Sequence, residues 1–464
     1  MNKNDIITLK ITDINYLGYG VGHIEEGTDA GKTVFVNGAV SGDKIRAKII
    51  KVNTSFFVAR LEEILEISPW REENKKSLCP APLTCGGCVY RNISYFYELE
   101  LKRNYVENAF KKAGLKDIEI LPVLITGNLE NYRNKAQYPV TNTKWGVTAG
   151  FYAAKTHKII PINNCNIQHM SFQRIIDSVC RFATENTISV YDESTHTGIL
   201  RHIYLRVGEA TGQIMLCLVI NADRLPNADN FVSNITTYHP EIKSILLNFN
   251  NRKTNVILGD RYKLLYGEPY IEDVLSGMKF RISAPSFYQI NRKGAEILYT
   301  EAKKLADFKG NETVYDLYCG IGTIGLVMAD SVKNVVGVEI IESAVECAKI
   351  NAEINKIDNA EFYHADADTE ELIDTINSLS GKTPDVVILD PPRKGCSPQL
   401  IKNIACHNIK KVVYVSCDPD TLARDTAIFR TYSYTPSPVQ PVDMFPRTGH
   451  VECVTLMSRA KNQV

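Results

Sequence analysis

"VYDLYCGIGTIGL", Val314 to Leu326, reads as an apolar strand, a glycine turn and the start of a helix. Gly320, Gly322 and Gly325 fit the spacing G-x-G-x-x-G. Such glycines let backbone approach a ligand, and the helix start offers free N–H groups. The spacing alone is weak, so the surrounding pattern has to decide the fold. Downstream, helical patterns alternate with the continuous apolar runs "KNVVGVEI", "DVVILDPP" and "KKVVYVSCD". That alternation predicts a parallel sheet with helices on both faces. "VVGVEI" ends at Glu339, where a carboxylate can accept both hydroxyls of a ribose. An adenosine-bearing ligand follows, either a dinucleotide or S-adenosylmethionine.

The next strand signal favours the second. "VVILDPPRKG" places Asp390 at the carboxyl end of a strand, where open α/β sheets bind ligands. Two prolines then turn the chain away from helix. The dinucleotide fingerprint has no such element, and Cys319 and Gly320 follow "DLY" as in methyltransferase first motifs. The last strand-to-helix join is "VVYVSCDPDTLARD", Val412 to Asp425. Asp418 suits an N-cap and Pro419 the first helical position, so Cys417 lies just before a helix N-terminus. The positive helix end is expected to pull the thiol below its usual pKa of about 8.5. A lone cysteine there is more often a core residue. Beside the glycine turn and D-P-P it reads as a nucleophile.

A thiolate beside a methyl donor has a specific use. Carbon 5 of a pyrimidine is not nucleophilic until a thiolate adds at carbon 6 and makes an enolate. After methylation a base must remove the carbon-5 proton. "GHVECVTLM" supplies Glu452 at the start of the final strand, with His450 two residues earlier; spacing alone also allows an ordinary surface carboxylate.

Further outward, 464 residues are too many for one core, so about two to four domains are expected. The formal net charge of zero argues against a chain that merely coats nucleic acid. The opening stretch "MNKNDIITLK" has no secretory pattern, and "IMLCLVI" (Ile214 to Ile220) is far too short to span a bilayer. A cytoplasmic protein without membrane contact is expected, and in that compartment twelve cysteines are ligands, catalysts or buried apolar groups rather than disulfides. Residues 5–66 read as short alternating strands with glycine turns, a small β-barrel. Lys44, Arg46 and Lys48 share one strand face, and no acid occurs from Lys44 to Arg60. A solvated face and an RNA-gripping face fit this pattern equally. "SLCPAPLTCGGCVY" holds Cys79, Cys85 and Cys88 in a C-x5-C-x2-C spacing, too tight for scattered thiols. With a fourth thiolate, zinc and an iron–sulfur cluster suit it equally well.

Taken in order, "FYQIN", "DLYCGIGTIGL", "GVE", "ILDPPRKG", "SCDPDTLARD" and "HVECV" resemble the RNA uracil-5-methyltransferase family. The best match is the branch that methylates 23S ribosomal RNA and carries an iron–sulfur cluster, and it spans nearly the whole chain. The resemblance implies a Rossmann-like α/β S-adenosylmethionine-dependent catalytic domain at 276–464. It also implies a TRAM-like (OB-like) RNA-binding barrel at 1–66, and between them a central α+β iron–sulfur domain at 67–275, whose helical stretch near 95–125 can pack with the catalytic domain. It implies Cys417 as nucleophile, Glu452 as general base, and Gln289, Tyr318, Glu339 and Asp390 as cofactor contacts. It places Arg133 of "NYRNKAQYP" on the substrate side. Cys165 of "INNCNIQ" becomes the fourth ligand beside Cys79, Cys85 and Cys88, in a [4Fe-4S] cluster of structural or RNA-orienting role. Thr323 stands where many relatives have Asn, so no side-chain role carries over to it. The expected partner is 23S rRNA, met by a monomer.

Rival readings each lack something. A cytosine-5 enzyme usually carries its cysteine just after D-x-P, where this chain has Arg393. A tRNA uracil-5-methyltransferase is the alternative within the family; that branch generally lacks the barrel and the cysteine set. A nicotinamide-dependent oxidoreductase leaves D-P-P and Cys417 without a task. A noncatalytic RNA binder has no need of Cys417 and Glu452.

Overall fold

The computed structural model describes residues 1–72, 79, 81, 84–154 and 156–459, so part of the cysteine-bearing stretch lies outside the described residues. Five strands, Ile6–Ile14, Tyr19–His23, Thr33–Asn37, Lys44–Val52 and Phe56–Glu66, close into a barrel. Leu9, Ile11, Val34, Val36, Ile45, Ala47 and Phe57 fill it, as strict alternation requires. Lys44, Arg46 and Lys48 stand on the outer face. That face is not a free positive stripe. Across the antiparallel pairing, Lys44 meets Glu66 at 3.1 Å and Arg46 meets Glu63 at 2.7 Å. Exposed pairs of this kind are worth about 0–1 kcal/mol.

The middle of the chain forms a seven-stranded sheet in the order Arg261–Gly267, Ile242–Phe249, Ile214–Ile220, Leu200–Val207, Lys135–Thr143, Gly146–Tyr152, Ile159–Pro161. Helices Phe172–Glu185 and Ala228–Tyr238 contribute Phe172, Ile176 and Phe231 to the core with Leu216 and Leu218. Met215 and Cys217 alternate to the other side and join the catalytic core. Burial on both faces is why "IMLCLVI" lacks polar alternation.

The catalytic sheet has eight strands. Its path runs Ala360–His364, Asn334–Glu339, Thr313–Leu317, Val386–Leu389, Lys411–Ser416, Glu452–Arg459, Tyr434–Pro436, and Gln440–Val442 also pairs with Glu452–Arg459. The first five are parallel, and Glu452–Arg459 runs antiparallel to Lys411–Ser416. Strand order reverses between Thr313–Leu317 and Val386–Leu389, which opens a crevice at their carboxyl ends. Helix Tyr95–Lys112, far away in sequence, packs here: Val106 and Phe110 share a core with Leu389, Tyr414 and Leu422. Among the described residues no helix is long and apolar enough to cross a membrane.

Candidate active site

Strand Thr313–Leu317 runs into the turn Tyr318–Gly322 and then helix Thr323–Met328. Three residues of that turn adopt positive φ: Tyr318 at 66°, Gly320 at 55° and Gly322 at 83°. Tyr318 holds this rare conformation with its hydroxyl donating to Asp368 Oδ1 at 2.9 Å. Asp316 anchors the helix start, its buried Oδ2 accepting from Gly325 N at 2.8 Å. Glu339 bridges the crevice, accepting from Gly320 N at 3.0 Å and from Ile341 N at 2.9 Å. A Cβ at Gly320 would meet nothing within 4 Å, so the turn borders open space that a ligand can fill.

That space is a cavity of about 700 Å³. Arg133, Gln289, Tyr318, Glu339, Asp390, Cys417 and Glu452 all line it, drawn together from across more than 300 residues. Its size suits a nucleoside-sized ligand. Its wall carries five carboxyl groups, Glu339, Asp366, Asp368, Asp390 and Glu452, together with three cations, Arg133, Arg393 and Lys394, of which Lys394 pairs with Asp368 at 2.8 Å. Burial pushes Asp390 up to about 7.

Cys417 sits where expected, between strand Lys411–Ser416 and helix Pro419–Thr431. Its acidity does not follow the expectation. Burial first, then the facing carboxylates of Glu452 and Asp390, push the thiol up to about 12, while Arg393 pulls the other way. The reason lies partly in the cap. Asp418 Oδ1 accepts from Asp420 N at 3.0 Å and Thr421 N at 3.2 Å, so the helix's free N–H groups are satisfied by a carboxylate rather than by the sulfur. Arg393 directly follows the two prolines. Its Nη2 lies 3.4 Å from His450 Nε2, and a guanidinium only donates, so the imidazole accepts. Burial and Arg393 hold His450 below its usual pKa. Glu452, 3% exposed, is pushed up to about 8 by burial and Asp390.

Arg393 is marked in the sequence only by its place directly after D-P-P. Asp316 under the glycine turn and Phe287, 62% exposed on the cavity wall, carry no comparable spacing signal. Thr323 does have a contact, its hydroxyl 3.1 Å from that of Tyr299. Arg133 is held through its backbone, N to Ile167 O at 3.0 Å, while its buried Nε finds no partner among the described residues.

Cys79, Cys85, Cys88 and Cys165 are all half-buried. Burial, then Cys165, Cys79 and Cys85, push the Cys88 thiol up to about 12, and burial with Cys79 and Cys85 raises Cys165. Cys88 and Cys165 thus both lie within electrostatic reach of Cys79 and Cys85. Cys79, Cys88 and Cys165 border a cavity of about 170 Å³ with Arg91 and Arg447. Among the described residues no three His, Cys, Asp or Glu side chains form a preformed ion-holding group. The all-thiol donor set fits a soft metal or cluster, and the gathering does not reproduce a closed single-ion site. Cys180, Cys217, Cys396 and Cys453 are buried, Cys347 half-buried and Cys406 exposed, each apart from this set.

Comparison with known proteins matches residues 246–460 to the family model for tRNA (Uracil-5-)-methyltransferase and residues 2–61 to the TRAM domain. An uncharacterised RNA methyltransferase of Clostridium acetobutylicum is 44% identical over 99% of this chain and 98% of its own. One from Halalkalibacterium halodurans is 40% identical over 98% of each. Among solved structures, the Pyrococcus abyssi tRNA (uracil-54, C5)-methyltransferase in complex with S-adenosyl-L-homocysteine superposes with a TM-score of 0.77 at 28% identity. It covers 97% of this chain and 100% of its own. Such coverage leaves no room for the barrel to be missing from a tRNA enzyme, so the barrel does not separate tRNA from rRNA substrates as the sequence pattern suggests.

Proposed function

Because the chain belongs to the RNA uracil-5-methyltransferase family, whose members use S-adenosylmethionine, we propose that it methylates carbon 5 of a uridine in 23S rRNA through a Cys417 adduct. The observation that carries this reading is one cavity bordered at once by Cys417, Glu452 and the ribose-type carboxylate Glu339. When bound, S-adenosylmethionine supplies an electrophilic methyl group. Glu339 takes the ribose hydroxyls, Gln289 and Tyr318 flank the rest, and Asp390 faces the cationic end. Arg133 lines the same cavity, which supports its reading as a substrate-side residue.

The chain's own groups then perform the steps. The Cys417 sulfur bonds to carbon 6, and the ring's 5,6 electron pair moves toward oxygen 4. With the methyl donor bound, the enolate would return that pair through carbon 5 to the methyl carbon, whose bond to the sulfonium sulfur would break with its electrons kept on the departing neutral thioether. Glu452 takes the carbon-5 proton, the 5,6 double bond re-forms, and the sulfur departs with its electron pair. A carboxylate pushed up to about 8 is a stronger base than an exposed one, which suits this proton transfer. Arg393 is the cation on hand to offset the cost of the thiolate.

The four-cysteine set reads as a [4Fe-4S] site. Four thiolates suit zinc and a cluster alike, and the resemblance to the cluster-bearing branch supports the cluster. Its role is structural, since methyl transfer moves no electron. The domain reading is a barrel at 1–66, a cysteine-bearing middle and a catalytic C-terminal part, working as a cytoplasmic monomer.

The Pyrococcus likeness favours a second reading, a tRNA uridine as substrate. Mass mapping of 23S rRNA and tRNA from a deletion strain separates the two. Loss of a 5-methyluridine from 23S rRNA with tRNA unchanged supports the first reading, and loss from tRNA alone overturns it.

A further inference from the structure

One buried cation takes no part in these steps. Lys102, on helix Tyr95–Lys112, has a side chain with no exposure. Its ammonium donates to Glu98 Oε1 at 2.7 Å, to Asp443 Oδ1 at 2.7 Å and to Phe445 O at 3.1 Å. Three N–H donors thus meet three acceptors, two of them on one short segment of the C-terminal half. Glu98 Oε1 also accepts from Arg447 N at 2.7 Å, and Asp443 Oδ2 from Tyr95 OH at 2.8 Å.

The same segment is gripped from every other side. Tyr132 OH donates to Pro446 O at 2.9 Å, and Asn291 Nδ2 to Met444 O at 3.0 Å. The Arg447 guanidinium donates to Ile93 O at 2.9 Å, next to the cysteine-bearing stretch, and the residue is held at φ 71°. Gly449 presses on the barrel, where a Cβ would lie 1.9 Å from Tyr16 O. His450 and Glu452 follow at once.

A buried ion triad is a poor way to gain stability, because desolvation cancels most of the attraction and apolar side chains of like volume do as well. What it provides is one geometry: Lys102 fixes Asp443 and Phe445 together. We propose that Lys102, with Glu98 and Asp443, is a positioning device that locks residues 443–450 so that the Glu452 carboxylate reaches the carbon-5 proton. The inference rests on Glu452 as the base. The expected effect falls mainly on the last step, because Cys417 is held on other elements, between strand Lys411–Ser416 and helix Pro419–Thr431.

Two substrates separate the steps. RNA carrying 5-fluorouridine is captured by Cys417 and stops there, because fluorine stands where the proton would leave. RNA carrying tritium at carbon 5 of uridine reports proton removal. Lys102→Met alone strands two buried carboxylates, so the deciding variant is the triple Glu98→Gln, Lys102→Met, Asp443→Asn, which removes all three charges at nearly constant volume. A misplacement of about 1 Å costs up to about a hundredfold, so tritium release by the triple variant is expected to fall about tenfold or more, with fluorouridine capture within about twofold of wild type. Equal loss of both, whether by misfolding or otherwise, overturns the inference, and so does loss of neither. Glu452→Gln is run alongside. If it slows release and the triple variant does not, this inference alone falls; if it releases tritium normally, the reading of Glu452 as base falls and takes the inference with it.

Discussion

Replacing Glu452 by Gln is expected to cost activity and raise stability, with a pH dependence that follows from the site. The carboxylate is 3% exposed and faces Asp390, and its pKa rises from the ordinary 4.5 to about 8. About 3.5 units at about 1.4 kcal/mol each is on the order of 5 kcal/mol. The sign follows from proton binding. The folded chain keeps the proton at a pH where the unfolded chain has lost it. The stability this group contributes is therefore complete below about pH 4.5 and is lost as pH rises through about 8. Gln never loses it. At about 2–4 °C per kcal/mol for a domain of this size, the variant is expected to melt on the order of 10 °C above wild type near pH 9. The gap closes toward about pH 5, where wild type is protonated. Calorimetric melting of both proteins without cofactor across this range is the assay. A gap independent of pH, or one that widens toward acid, refutes the placement of a buried carboxylate beside Asp390 whose charge Arg393 offsets only in part.

Arg393→Gln removes the cation that opposes the rise of the Cys417 thiol, so fluorouridine capture near neutral pH should slow about tenfold for each unit the thiol gains, with Arg393→Lys recovering part of the loss. An unshifted pH profile of capture excludes Arg393 from this task. Anaerobically purified protein is expected to contain iron and sulfide in equal amounts with broad visible absorbance, both lost in Cys88→Ser; zinc without colour reassigns the site. Lys44→Ala with Arg46→Ala should weaken RNA binding and reduce its salt slope by about 1 for each phosphate no longer neutralised, and an unchanged slope places the RNA on another face of the barrel.

The parts of the site legible in the sequence are those set by neighbours along the chain. The turn at Gly320 and Gly322, Asp390 at a strand end and Cys417 before its cap all depend on spacing within a dozen residues, and each lies where that spacing puts it. The acidity of Cys417 is not legible there because it depends on Glu452 and Asp390, which the fold brings from other strands. The pairing on the barrel's basic face is hidden for the same reason: Glu63 and Glu66 reach Arg46 and Lys44 only through strand register. Lys102 reads as an ordinary surface lysine of an amphipathic helix until Asp443, 341 residues on, buries it. Periodicity reports which way a side chain faces, and not what the fold sets against it.

The central claim is a transient bond between the Cys417 sulfur and carbon 6 of the pyrimidine. RNA containing 5-fluorouridine, incubated with the enzyme and S-adenosylmethionine and then digested, should yield a Cys417 peptide heavier by the methylated fluoronucleotide, and Cys417→Ala should yield none. Capture on another cysteine, or unchanged capture by Cys417→Ala, contradicts the account.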